Sequence, residues 1–366
     1  MDQNESTTAG SSAKPVGISG SMAPEDLIAL SDEIAALSRA GLPLDQGLGV
    51  MAGEMGKGEL QRATSEIASD LQSGRTLPEA LERQVGRVPD FYPALIQVAI
   101  RSGRIDEVLC TLTTYARSIV DLRSTVFGAI FYPCVILVFS FAIFGFVCWK
   151  IIPQFERLFL DFGVRLPPIT MAVIQIGRHP LEFVLLPPIA LVFSLMFIKL
   201  GLRRTEGGQR AWTRFVYSLP LTGMLIRASR LATFSDLLSI LVQHSVPLPE
   251  AFRLAGSATN DPVLAHAARF VELDLREGKP LGEALRGRRL VPELICWMTG
   301  LGERRGKLAD ALHQVAEVYR RQAEVRAAML RSVLPPFLIL STGGVLVGFF
   351  AIAMFLPLIQ LLAALS

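Results

Sequence analysis

Two kinds of patterning alternate along this chain. In residues 105–122 apolar side chains recur at three- and four-residue steps (Ile105, Val108, Leu109, Leu112, Ala116, Ile119 and Leu122), and Leu308, Leu312, Val315, Val318 and Tyr319 repeat the rhythm. That is the period of an amphipathic helix with one buried face. No stretch follows the strict two-residue alternation of a strand. Elsewhere charged positions vanish. Between Arg123 and Lys150 lie 26 uncharged residues, more than the roughly 20 that carry a helix across a 30 Å hydrocarbon core. Residues 183–198 form a shorter uncharged run of 16, bent by Pro187 and Pro188 and extended by Leu200 and Leu202 while Lys199 snorkels its ammonium to the headgroups. The last 35 residues, from Ser332, carry no ionisable side chain. The pattern predicts an all-α integral membrane protein with three transmembrane helices.

The polar regions repeat. Ser31, Asp32, Pro43, Leu44, Leu71, Gly74, Leu77, Glu79, Ala80 and Leu81 recur 204 positions later as Ser235, Asp236, Pro247, Leu248, Leu275, Gly278, Leu281, Glu283, Ala284 and Leu285. At an offset of 203, Val88, Pro89, Gly103 and Pro133 match Val291, Pro292, Gly306 and Pro336, and Pro153 matches Pro357 at 204 again. A fixed period marks duplicated structural units. Each unit reads as a helical-bundle module followed by a membrane helix, the second span bringing the chain back to its starting side. End signals agree: Thr76 and Glu79 form a capping box, Asp261 before Pro262 is an N-cap, and Gly41, Gly74 and Gly278 sit where helices stop. Each module's last amphipathic helix runs into its span, so a push on the module would reach the bilayer.

The predicted organisation is a disordered tail (1–24), a first cytoplasmic module (25–122), a first span (123–152), a short periplasmic segment (153–180), a second span (181–202), a second cytoplasmic module (203–331), and a third span with a periplasmic C-terminus (332–366). Arg104, Arg117 and Arg123, then Lys199, Arg203, Arg204, Arg210 and Arg214, then Arg320, Arg321, Arg326 and Arg331 flank the spans on one side, against Arg157, Arg165 and Arg178 on the other. Basic flanks stay in the cytoplasm. The tail has no apolar signal-peptide core, which keeps the N-terminus there as well.

Composition fits a chain partly in lipid: 51% hydrophobic, 19% charged, and a net charge of +3 that asks for no nucleic acid. Cys110, Cys134, Cys148 and Cys296 show no paired spacing for a disulfide framework or zinc site. The nearest approach to a phosphate loop, GEMGKG at residues 53–58, lacks both the first glycine and the hydroxyl after its lysine. The four histidines are scattered, so the reading is a non-enzyme with no catalytic residue, cofactor or metal. A transporter with cytoplasmic regulatory domains is the alternative, but the spans hold no charged side chain for an ion, only groups such as Ser140, Ser194, Ser341 and Thr342.

Assembly remains. Gly344 and Gly348 form a G-x-x-x-G that admits close helix packing, within the chain or between subunits of a homo-oligomer. Gly302, Glu303, Arg304, Arg305 and Gly306 form a turn that is either punctuation or a docking corner for a protein partner. Gly103, Pro133, Pro153, Pro336 and Pro357 are repeat-matched turn or kink positions.

The order of A-G-L-P-L (Ala40–Leu44), F-Y-P (Phe131–Pro133), P-Q-F-E-R-L-F-L-D-F-G (Pro153–Gly163), L-P-P-I-T (Leu166–Thr170) and G-E-x-x-G-K-L (Gly302–Leu308) resembles the type II secretion system F family over residues 25–360. The resemblance implies a multi-pass platform in the bacterial inner membrane, in type II secretion or type IV pilus biogenesis. It implies a cytoplasmic hexameric ATPase, other inner-membrane assembly components, and pilin or pseudopilin subunits as partners. Two departures stand out: the first module reads A-I-R-S-G where the family has G-E-x-S-G, and only the tail precedes the first module where long members carry a further segment.

Overall fold

The structure, a computed structural model, describes residues 22–84, 86–150, 206–218, 222–259, 261–285 and 292–365, with single helical positions at 154, 186, 190, 193, 194 and 197. The tail to residue 21, nearly all of the segment expected to be periplasmic, with Pro153 and the P-Q-F-E-R and L-P-P-I-T motifs, and nearly all of the expected second span lie outside the described residues. Every described element is an α-helix. The first repeat holds α1 (Pro24–Arg39), α2 (Leu44–Glu54), α3 (Glu59–Gln72), α4 (Leu77–Arg83), α5 (Phe91–Ser102) and α6 (Ile105–Lys150). After α7 (Glu206–Ser218), the second holds α8 (Thr222–Gln243), α9 (Leu248–Ala258), α10 (Pro262–Arg276), α11 (Leu281–Leu285), α12 (Glu293–Arg305) and α13 (Leu308–Leu365).

The repeat extends to the backbone of the turns. Gly74 and Gly278 have φ of 86° and 84°, and Gly103 and Gly306 have 67° and 65°. In each pair the left-handed residue ends a helix and lets the next N–H reach back: Arg104 N–H donates to Ala99 O and Lys307 N–H to Gly302 O, at 3.0 and 2.9 Å. The end of α1 uses the same device at Gly41, φ 64°, yet the matched position after α8 is Ser245, φ 61°. The hydrogen bonds are the same, Leu42 N–H to Leu37 O and Val246 N–H to Leu241 O. A fold that imposes this turn on a side chain bears a strain glycine would not feel.

The chain divides into two units. The first combines the residues up to Asp121 with Arg230–Tyr319, which takes in most of both modules but leaves residues 203–229 and 320–331, expected in the second module, to the other unit. Their cores match residue by residue: Ile34 with Leu238, Leu48 with Phe252, Ile67 with Val271, Leu81 with Leu285 and Leu109 with Leu312 are all buried. One match fails. Ser31 Oγ lies 3.0 Å from the buried Tyr92 hydroxyl, but the second copy has Ile295 there, and the Ser235 hydroxyl is buried without a hydrogen-bond partner.

The second unit combines Leu122–Ser229 with Arg320–Ser366. Here the outward faces of α6 and α13 are apolar, with Phe127, Phe139, Trp149, Phe337 and Leu340 exposed. Among the described residues these two helices are long and apolar enough to cross a membrane. At 46 and 58 residues they measure about 69 and 87 Å at ~1.5 Å per residue, over twice the hydrocarbon thickness of roughly 30 Å. Both run unbroken through their prolines, Pro133 in α6 and Pro335, Pro336 and Pro357 in α13. The helices touch through polar groups: an Arg331 guanidinium N–H donates to Thr125 O at 3.1 Å, Thr342 Oγ1 donates to Ser140 Oγ at 3.4 Å, and a Cβ on Gly128 would overlap the Arg331 guanidinium.

The matched turns make a paired prediction. Ser245→Gly should raise stability by roughly 1 kcal/mol and Gly41→Ser lower it by a similar amount, read from denaturation midpoints of the full-length protein in detergent. Equal shifts of the same sign would contradict the strain argument.

Candidate functional site

The modules meet through one long helix. The N-terminal part of α6 lies between the first helices of both repeats. Towards α1, Thr113 Oγ1 donates to Asp32 Oδ1 at 3.1 Å and an Arg117 guanidinium N–H to Asp32 Oδ2 at 3.4 Å. Towards α8, Ser118 Oγ donates to Asp236 Oδ2 at 3.3 Å. The repeat-matched carboxylates Asp32 and Asp236 thus flank the same helix. Only Asp236 is buried, and it gains a further contact from His313 Nδ1 at 3.5 Å. Burying a carboxylate costs several kcal/mol, of order 3–5 when its partners are removed, so this side of the contact is the more dependent on its partners. Tyr115, also on α6, is fully buried beside Asp236, and desolvation raises its phenol pKa well above the ordinary tyrosine value.

A second contact lies at the other end of the module. Pro93, Ala94 and Gln97 of α5 face Glu250, Arg253 and Leu254 of α9 across a polar cleft of about 180 Å³, with Glu82 and Asp90 also on its wall. The contact is one-sided. Among the described residues the counterparts on α12 and α2 are uncovered: Trp297, matched to Ala94, is 63% exposed, and Val50, matched to Leu254, is 70% exposed.

Gly302–Gly306 forms the corner between α12 and α13. Gly306 is the left-handed cap, and Gly302 is buried where a Cβ would sit 2.6 Å from the Ala311 Cβ, so these glycines are required by the turn and by helix packing. Glu303, Arg304 and Arg305 stand exposed on it. The Glu303 Oε1 lies 3.4 Å from the Leu281 N–H at the start of α11. Gly344 and Gly348 are exposed, and among the described residues no atom approaches within 4 Å of a Cβ built on either. The GEMGKG run begins in the last turn of α2 and ends at Gly58, the residue before α3. Among the described residues no three His, Cys, Asp or Glu side chains group as metal ligands. The α6 contact and the exposed Trp297 and Val50 were not singled out from sequence; the repeat alignment, compared residue by residue, held the signal for the latter.

Duplicated helical modules joined to helices long and apolar enough to cross a membrane define a membrane protein built on an internal repeat. The pattern of the family described as "Type II secretion system (T2SS), protein F" matches residues 30–153 and again 234–357. The chain belongs to this family. It is 30% identical over 344 residues to the type 4 fimbrial assembly protein PilC of Pseudomonas putida, covering 92% of this chain and 84% of the relative. It is 28% identical over 338 residues to the type IV pilus assembly protein TapC of Aeromonas hydrophila (92% and 82%). It is 25% identical over 340 residues to the type II secretion system protein F of Pseudomonas aeruginosa (93% and 84%).

His244 gives the module contact a pH dependence. Its Nε2 is buried without a hydrogen-bond partner, with Glu107 and Arg104 of α6 nearby, and burial lowers its pKa. The unfolded chain takes up this proton near pH 6.5 and the folded one resists, so stability falls as pH drops through that value. The loss between pH 7.5 and 5.5 should shrink in His244→Gln, measured by chemical denaturation; an identical loss would exclude His244 as its source.

Proposed function

We propose that this protein is the inner-membrane platform of a type II secretion or type IV pilus assembly machine, coupling a cytoplasmic ATPase to the assembly of pilin-like subunits. The observation that carries the reading is the pair of unbroken helices α6 and α13. In each, the residues before Leu122 or Arg320 belong to the helical modules and the remainder runs on into the apolar part. A helix is stiff over this length, so displacement at a module reaches the bilayer along its axis. The family's membership in secretion and pilus systems supports the reading, and the duplicated module gives the machine two receiving surfaces.

On this reading the chain is a scaffold rather than a catalyst. Both modules lie in the cytoplasm, with the C-terminus and the segment around residues 153–180 in the periplasm, as the basic flanks require. The exposed Glu303–Arg305 corner is a docking point for the ATPase or another assembly component, and because the first module carries Ile100 and Arg101 there, it is not duplicated.

Two experiments test this. Glu303→Lys should abolish or strongly reduce secretion or piliation at unchanged protein level and membrane insertion; because Glu303 also approaches the Leu281 N–H, Glu303→Gln should retain most function. Normal assembly in the Lys variant removes the docking role. Reporter fusions at residues 210–320 should read cytoplasmic, and periplasmic signal from them overturns the topology.

A further inference from the structure

A contact between two repeats of one chain that is not reciprocated leaves half an interface at each end. In this molecule Ala94 of α5 lines the same cleft as Arg253 and Leu254 of α9. The matching pair would be Trp297 of α12 against Gly49 and Val50 of α2, and among the described residues Trp297 and Val50 stand exposed instead. We propose that a second copy of this chain makes it: the α12 face of one copy, centred on Trp297, seats on the α2 face of the next, formed by Gly49, Val50 and Gly53.

The side chains have changed in complementary directions. Where the internal contact sets a small alanine against an arginine, the open one sets a tryptophan against a glycine. Gly49 and Gly53 stand in the interior and last turn of α2, where each costs up to about 1 kcal/mol of helix stability relative to alanine. The fold of this chain does not ask for either. A Cβ on Gly53 would meet nothing within 4 Å, and one on Gly49 would make only ordinary contacts at 3.7 and 3.9 Å. Gly47 differs, because a Cβ there would press into Leu37 at 2.5 Å. Gly53, exposed and with open space above it, leaves beside the exposed Val50 a shallow floor with room for an indole ring, while the half-buried Gly49 faces Ala68 and Gln72 of α3.

A second position tells the same story independently. Tyr115 of α6 is buried against α8 beside Asp236, whereas its counterpart Val318 on α13 is 39% exposed and Asp32, the counterpart of Asp236, is exposed on α1. Covered faces lie where the two modules meet, and exposed counterparts lie at the unmet ends. Heterologous contacts of this kind are extended by further copies until a ring closes. A copy of the same repeat is the occupant whose shape the fold already demonstrates. The proposal adds to the platform reading how copies meet, and it does not depend on the ATPase.

The test uses the full-length chain in membranes, its four native cysteines replaced by serine, co-expressed in two differently tagged versions. With Val50→Cys in one and Trp297→Cys in the other, oxidation should give a cross-linked product bearing both tags. Absence of that product, or a Trp297→Cys chain that cross-links mainly to its own kind, overturns the proposal. In the unmodified background, Trp297→Ala and Gly53→Leu alter exposed positions. Each should cut co-purification of the two tagged copies about tenfold or more, as loss of an interface anchor does, with helical circular dichroism unchanged. Undiminished co-purification in both overturns it.

Discussion

The fold depends on one constraint: a single helix cannot be covered by protein and by lipid with the same residues. α6 and α13 each extend well beyond a bilayer's thickness without a break, so each must present two differently patterned surfaces in succession. Over Ile105–Asp121 the apolar stripe at Val108, Leu109, Leu112 and Tyr115 is buried by the module. Beyond Leu122 most large apolar residues face outward, as in Phe127, Phe131, Val138 and Phe139, while Ala129 and Pro133 are buried. Except where Pro133, Pro335, Pro336 and Pro357 lack an N–H to donate, the backbone hydrogen bonds are made within the helix, which is what permits the passage into lipid.

Duplication lets one design of module serve twice, but the two copies are not equivalent. The first module's α6 is enclosed on two sides, by α1 and α8. α8 in turn is buried nearly all round, with Leu231, Phe234, Leu237, Leu238, Ile240 and Leu241 inaccessible. A helix buried on all faces belongs to the centre of a larger core. Its counterpart α1 keeps Asp32 and Ala36 at the surface. This asymmetry turns two similar bundles into one body with distinct ends, and gives Trp297 and Val50 their exposure. Within the second unit the polar contacts between α6 and α13 bring together residues close to one repeat period apart, Ser140 with Thr342 and Gly128 with Arg331.

Much of this was legible in the sequence, for physical reasons that can be named. Helix ends at Gly74, Gly103, Gly278 and Gly306 were readable because only a left-handed residue closes those turns. The Asp261 cap, whose Oδ1 accepts from Val263 and Leu264 N–H at 2.9 and 3.3 Å, was readable because the chemistry is local. Ser245 was not, since nothing local marks a serine that the tertiary fold forces to φ 61°. The corner at Gly302 was visible as a motif, but its sequence could not distinguish a turn from a surface. The structure assigns the two glycines to the turn and packing and leaves the three charged side chains exposed.

The sequence alone determined the helical class, the duplicated register and the apolar stretches, because periodicity, caps and hydrocarbon thickness act over neighbouring residues. It could not determine which face of one repeat covers the other. Ala94 and Trp297 occupy equivalent places in equivalent helices, and both are compatible with the same local fold. Which of them meets a neighbour depends on packing between residues 160 positions apart, as with Ala94 and Leu254 on the wall of one cleft, and only the tertiary structure decides contacts at that separation.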